Sequence, residues 1–240
     1  MKKNTEQNLG IKAENVNEEG LELKDQTQNF IQKYSKIIII ASVAVIVIVG
    51  LIVIMRNKAQ NDAEQASALI SRVLPYYETA DYQKALDGDP QKTYLGEPVR
   101  GLKYIVSEYG GTEQGKLAAL YTGNILLSTS KYSEAKEYFD KASHADSKLV
   151  QQGALAGMAA CLESDSQFEE AARNYEDAAS LSIDDELQAR YSFYAGLAYE
   201  KNGNKDKAEK IYREIMKRTK FSEFNQLAKA GLIRIGTIIE

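Results

Sequence analysis

A chain of 240 residues with a formal net charge of −4, 44% apolar residues, one cysteine and one histidine has room for one sizeable folded domain. One thiol excludes an internal disulfide framework, and a mildly acidic balance without a basic stripe excludes electrostatic binding to a phosphate backbone. No nucleic-acid partner is expected.

In chain order, residues 1–36 come first, with six lysines, six acidic residues and few large apolar groups. Such a tail cannot bury enough surface to fold, and it is predicted to stay disordered. Residues 37–55 then form an uninterrupted apolar run, Ile37 to Met55, with no charge and no proline. As a helix these 19 residues cover roughly 28 Å, close to the hydrocarbon thickness of a bilayer. A transmembrane helix is predicted. A cleavable signal peptide fits less well, because the run starts late and is followed by Met55-Arg56-Asn57-Lys58 instead of small residues. Lys24, Lys33 and Lys36 on one side against Arg56 and Lys58 on the other bias the N-terminus towards the cytoplasm. A late anchor followed by a large domain points the same way, with the C-terminal domain outside.

Residues 56–115 read as a helical lead-in. An amphipathic helix is expected from Asn61 to Thr79, with Ala66, Leu69, Ile70 and Val73 on one side and Pro75 bending or ending it. Tyr82 and Ala85 suggest a degenerate repeat, broken at Asp87-Gly88-Asp89-Pro90, with aspartate at 89 where an aromatic is expected. A helix from about Val99 to Tyr109 stops at Gly110-Gly111.

Residues 116–240 repeat themselves. Gly123, Ala159 and Gly196 coincide when the chain is overlaid at intervals of 36 and 37, as do Ala135, Ala171 and Ala208, then Phe139, Tyr175 and Tyr212. Each copy holds two segments of 3.6-residue apolar period, separated by Ser128-Thr129-Ser130-Lys131, Ser164-Asp165-Ser166-Gln167 or Asn202-Gly203-Asn204. Small residues let two antiparallel helices approach; the rings fill the gap to the following copy. Leu227, Ala230 and Gly231 fall on the first-helix pattern, so residues 222–239 are expected to cap the array.

This pattern resembles the tetratricopeptide repeat family, whose repeats pair helices in this way. The resemblance implies an all-α solenoid of antiparallel helix pairs and a role in protein or peptide binding. With tail and span included, the architecture resembles membrane-anchored tetratricopeptide proteins of bacterial inner membranes, such as the ancillary SecYEG translocon subunit family. That likeness implies a single-pass protein with its repeats in the periplasm, and translocon or envelope proteins as partners.

In such arrays the first helix of each pair lines the groove. The corresponding positions here are Leu117, Leu120, Asn124 and Leu127, then Gly153, Ala156, Ala160 and Glu163, then Arg190, Phe193, Leu197 and Glu200. The resemblance makes this face apolar in its middle and polar at its margin, as suits an extended or helical peptide. The alternative is that a flanking helix of the same chain covers it. Some family members grip an acidic C-terminus with Lys and Asn; only Asn124 matches, so no such clamp is expected.

Catalysis is not expected. His144 lies between helices, Cys161 reads as a small buried residue, and no metal or phosphate motif occurs, so neither cofactor nor metal is predicted. Asp87 and Asp89 lack the remaining ligands of a calcium loop, and Glu169-Glu170 at a helix start and Asp184-Asp185 in a loop stand where negative charge favours the N-terminal end of a helix dipole. Besides an adaptor, the groove suits a periplasmic holding chaperone. A self-assembling scaffold is disfavoured by the lack of a Gly-x-x-x-Gly pair in the span, while the oligomeric state stays open.

Overall fold

The apolar run of residues 37–55 lies inside the helix α1 (Lys3–Glu78). The computed structural model describes the backbone of residues 3–237 and the side chains of residues 34–237 apart from Ile38. The chain divides into two units, Met1–Lys58 and Ala59–Glu240. In the first, the apolar window has a mean hydropathy of 3.5 and none of it is buried, so α1 contains a segment long and apolar enough to cross a membrane. The backbone from Lys3 onward is helical, where composition predicted no structure in residues 1–36. Extending a helix that is already nucleated needs only local hydrogen bonds, whereas composition bears on tertiary burial. The side chains of that tail before Tyr34 lie outside the described residues.

The second unit is a stack of helix pairs: the end of α1 with α2 (Tyr82–Asp87), α4 (Glu113–Ser128) with α5 (Tyr132–Ser143), α6 (Lys148–Ser164) with α7 (Phe168–Ser180), and α8 (Asp185–Lys201) with α9 (Lys205–Arg218). Helix α10 (Glu223–Ile235) follows. The first helix of each pair ends in the same turn. A residue of positive φ stands at Ala80, Ser130, Ser166, Gly203 and Gly236. The next residue donates its backbone N–H back across the turn, as Lys131 to Leu126 O at 2.8 Å, Gln167 to Leu162 O at 2.9 Å and Asn204 to Tyr199 O at 2.9 Å. Asp81 to Tyr76 O and Thr237 to Leu232 O, both 2.9 Å, complete the series. The end of α1 and α10 are thereby members of the array, in register with α4, α6 and α8.

Between Ala80 and Ser130 the chain does something the sequence pattern does not announce. Helix α2 gives way to strand β1 (Gly88–Tyr94), which pairs antiparallel with β2 (Glu97–Arg100), and α3 (Leu102–Tyr109) follows. The two ends of this hairpin meet: a Cβ placed on Gly101 would lie 2.2 Å from Leu86 O, and one on Gly88 2.3 Å from Val99 O. Without the 13 residues 88–100, Ala80 and Ser130 would be 37 apart, matching the later spacings of 36 and 37. Helices α2 and α3 are therefore two halves of one second helix, split by an inserted hairpin. Leu102, wholly buried, takes the place that counting assigned to Asp89, and Val99 belongs to β2 instead of opening a helix. Asp89 is buried in the hairpin, where it accepts hydrogen bonds from Tyr76 Oη at 2.7 Å and Gln91 N at 3.0 Å and pairs with Lys84 at 3.2 Å.

The core of the array is made of rings wedged between glycines. A Cβ on Gly123 would meet Phe139 at 2.7 Å and one on Gly157, in the following pair, would meet the same ring at 2.3 Å. Gly196 and Gly231 flank Tyr212 in the same way, each at 2.6 Å. Tyr175 instead meets Tyr194 of the next pair, with ring centroids 5.6 Å apart. Ala135, Ala171 and Ala208 are wholly buried, as their spacing requires.

Helix α10 corrects one expectation. Its buried face is Phe224, Ala228, Gly231, Leu232 and Ile235, while Leu227 is 41% exposed and Ala230 is also exposed. Turn to turn, Gly236 follows Ser130 by 106 residues, two fewer than the projection that put Leu227 and Ala230 inside. With 13 residues against 16 or 17 in α4, α6 and α8, α10 is nearly a turn shorter, and this moves its register.

Candidate peptide-binding groove

The first helices carry the groove residues named from the sequence, and most lie on one accessible face. Leu117, Leu120, Asn124 and Leu127 on α4, Ala156 and Ala160 on α6, and Leu197 and Glu200 on α8 are half-buried, while Arg190 is exposed. Leu120 reaches across to α6, where a Cβ on Gly153 would lie 3.3 Å from its methyl carbon. Phe193 is the exception. It is 8% exposed and packs inward, with its ring centroid 5.9 Å from Tyr212 and 6.0 Å from Phe224. Arg190 lies over that same Phe224 ring at 5.9 Å.

The polar margin is not free either. Glu163 accepts from Tyr175 Oη at 3.2 Å and pairs with Lys201 at 2.9 Å. One repeat on, Glu200 accepts from Tyr212 Oη at 3.0 Å and from Arg234 Nη2 at 2.7 Å. Each glutamate ties a ring of its own pair to a cation of the next first helix. The Arg234 hydrogen bond holds the Glu200 carboxyl below its ordinary value, and burial together with that carboxylate pushes the Tyr212 phenol up. Both glutamates therefore serve the array before they serve a ligand.

Counting back from the positive-φ turns extends the face at both ends. Tyr77 of α1 stands three residues before Ala80, as Leu127, Glu163 and Glu200 stand before theirs, and Ile233 of α10 does the same. Tyr77 contacts Tyr121 of α4 with ring centroids 4.8 Å apart. The end of α1 is thus the next rung of the face, not a plug laid over it. Ile233, at 68% exposure, continues it at the other end. Tyr77 and Ile233 lie in helices outside the three copies whose spacing is visible in the sequence, and the positive-φ turns place all five helices in one register.

The other singled-out residues have structural occupations. Burial pushes the Cys161 thiol up to about 11, which leaves it protonated at neutral pH. His144 is exposed at the end of α5. Asp87 pairs with Lys103 at 3.2 Å, Glu169 with Lys207 at 2.9 Å, and Asp184 caps α8 by accepting from Leu187 N at 2.8 Å. Among the described residues no group of three or more His, Cys, Asp or Glu side chains converges as metal ligands would.

Cavities also lie off this face. One of about 210 Å³ sits among α7, α8 and α9, lined by Glu176, Gln188, Glu214 and Arg218 among others. Another, of about 270 Å³, lies between α1, the hairpin and α3.

Comparison with known proteins agrees with this geometry. The family model described as a tetratricopeptide repeat-like domain matches residues 28–236. No curated protein and no solved structure matches the chain. Tetratricopeptide-like domains are modules for contact between proteins. With helix pairs in constant register and a family match over most of its length, the chain belongs to the tetratricopeptide repeat-like domain family.

Proposed function

We propose that the protein is a membrane-anchored interaction module whose first-helix face receives an apolar stretch of another polypeptide. Residues 37–55 span the inner membrane, residues 1–36 face the cytoplasm, and the repeats act in the periplasm, assisting secretion or envelope assembly through translocon or envelope proteins. The observation that carries the reading is the accessible apolar row crossing five first helices, from Tyr77 through Leu120, Ala160 and Leu197 to Ile233. Ala156 and Ala160 are small where Leu120 on α4 and Leu197 on α8 are large, which leaves room for a bulky side chain of a bound segment.

Photo-cross-linking in cells from positions 120 and 197 tests this. A discrete adduct, lost when Ala160→Glu is added, is the expected result; no adduct from either position would refute the groove. A protease-sensitive tag at the C-terminus, cleaved only from the outer side, tests the orientation. A second reading, a holding chaperone for secreted chains, is favoured by the engagement of Glu163 and Glu200 within the array, which leaves little polar chemistry to select one sequence. It predicts many adducts instead of one.

A further inference from the structure

The cavity of about 270 Å³ between α1, the hairpin and α3 is built by the insertion, since Glu97, Pro98 and Arg100 form one wall. The opposite wall is α1, with Arg72, and the floor includes Tyr104 and Tyr109 of α3. Two guanidinium groups therefore line one small cavity. Arg72 is half-buried and, among the described residues, forms no ion pair; its guanidinium carbon lies 5.4 Å from the Tyr94 ring centre. Arg100 sits 4.9 Å over the Tyr104 ring and reaches Glu97, the one carboxylate of the lining, at only 3.9 Å. A third cation, Lys92, lies 5.7 Å from the same Tyr94 ring that Arg72 covers.

Like charges crowded round two phenol rings repel unless something negative compensates them. Among the described residues Asp81 and Asp89 are taken by Lys84 and Asp87 by Lys103, Glu97 reaches Arg100 only at 3.9 Å, and Asp62 and Glu108, which act on Tyr109, form no ion pair with either guanidinium. A guanidinium resting on a ring face is held by its plane and keeps its N–H edge free for two parallel hydrogen bonds to an oxyanion. Two such forks and one ammonium match the oxygens of a phosphate group better than the two of a carboxylate.

We propose that the cavity between the inserted hairpin and α1 binds a phosphate group through Arg72 and Arg100, which line it, helped by Lys92, which stands outside the lining on the Tyr94 ring that Arg72 also covers. The group comes either from a soluble phosphate compound or from the headgroup of an anionic phospholipid. The site is independent of the peptide groove, so each stands or falls alone.

The test uses the full chain in neutral detergent, titrated with inorganic phosphate by calorimetry, and separately given phosphatidylglycerol or phosphatidylcholine while thermal unfolding is followed. Saturable binding of inorganic phosphate assigns a soluble source. Stabilisation by phosphatidylglycerol and not by phosphatidylcholine assigns a lipid headgroup. In either arm Arg72→Gln and Arg100→Gln should each weaken binding by about tenfold, and Lys92→Gln by a few fold. Lys92 and Arg100 are exposed strand residues, so their variants keep the readout even if Arg72→Gln fails to fold. Absence of binding in both arms, or binding that all three variants leave unchanged, would overturn the proposal.

Discussion

Gly123 and Gly157 share a ring, and two opposing quantities decide what a methyl group would do there. Alanine in a helix gains roughly 0.5–1 kcal/mol over glycine, whereas overpacking a core costs about 1–3 kcal/mol. At Gly157 the added carbon would stand 2.3 Å from Phe139, so the clash wins and Gly157→Ala should lower the urea midpoint of unfolding. Glu200 tests the electrostatics. Its folded pKa lies below the ordinary 4.5 because of Arg234, so its contribution is complete above that value and is lost as pH falls through the lower folded one. Stability should drop on acidification from pH 7 to below about pH 4, and Glu200→Gln, less stable by about 1 kcal/mol at neutral pH, should drop by less. Cys161 should resist alkylation in the native protein and react on unfolding, as thiol titration with and without urea will show.

At the scale of elements, the hairpin is an insertion whose two ends meet. Deleting residues 88–100, so that Asp87 leads into Gly101, should give one continuous helix and leave a cooperative thermal transition with near-unchanged far-ultraviolet circular dichroism. Loss of that transition would show that the hairpin is a structural part of the first repeat. The periodic alanines and rings were legible from the sequence because each has a steric task repeated in register. The hairpin was not, because Pro90 and Pro98 interrupt its strands, alternation is absent, and the positive-φ turn carries Leu95 before Gly96 instead of Asn or Asp. Phe193 was assigned to the groove by its position in the family pattern, yet a ring next to Tyr212 and Phe224 is better buried. The register of α10 depends on helix length, which residue types alone do not set.

For the repeat unit as a whole, stability is a sum over neighbours, because each first helix touches the preceding pair and its own partner. Rings shared between pairs and the links Glu163–Lys201 and Glu200–Arg234 make those boundaries strong between α6 and α10. Amide hydrogen exchange should therefore be slowest in α6 and α8 and faster in α10, which has a neighbour pair on one side only among the described residues. Uniform protection across α4 to α10 would contradict this picture.

The meeting of the hairpin's two ends at Leu86 and Gly101 has a practical consequence. A helix that resumes where it left off treats whatever lies between as a side branch, so guest segments of other lengths can be grafted there while the stack stays intact. That junction is a natural port for a reporter or an epitope, and it offers evolution a place to change specificity without rebuilding the scaffold.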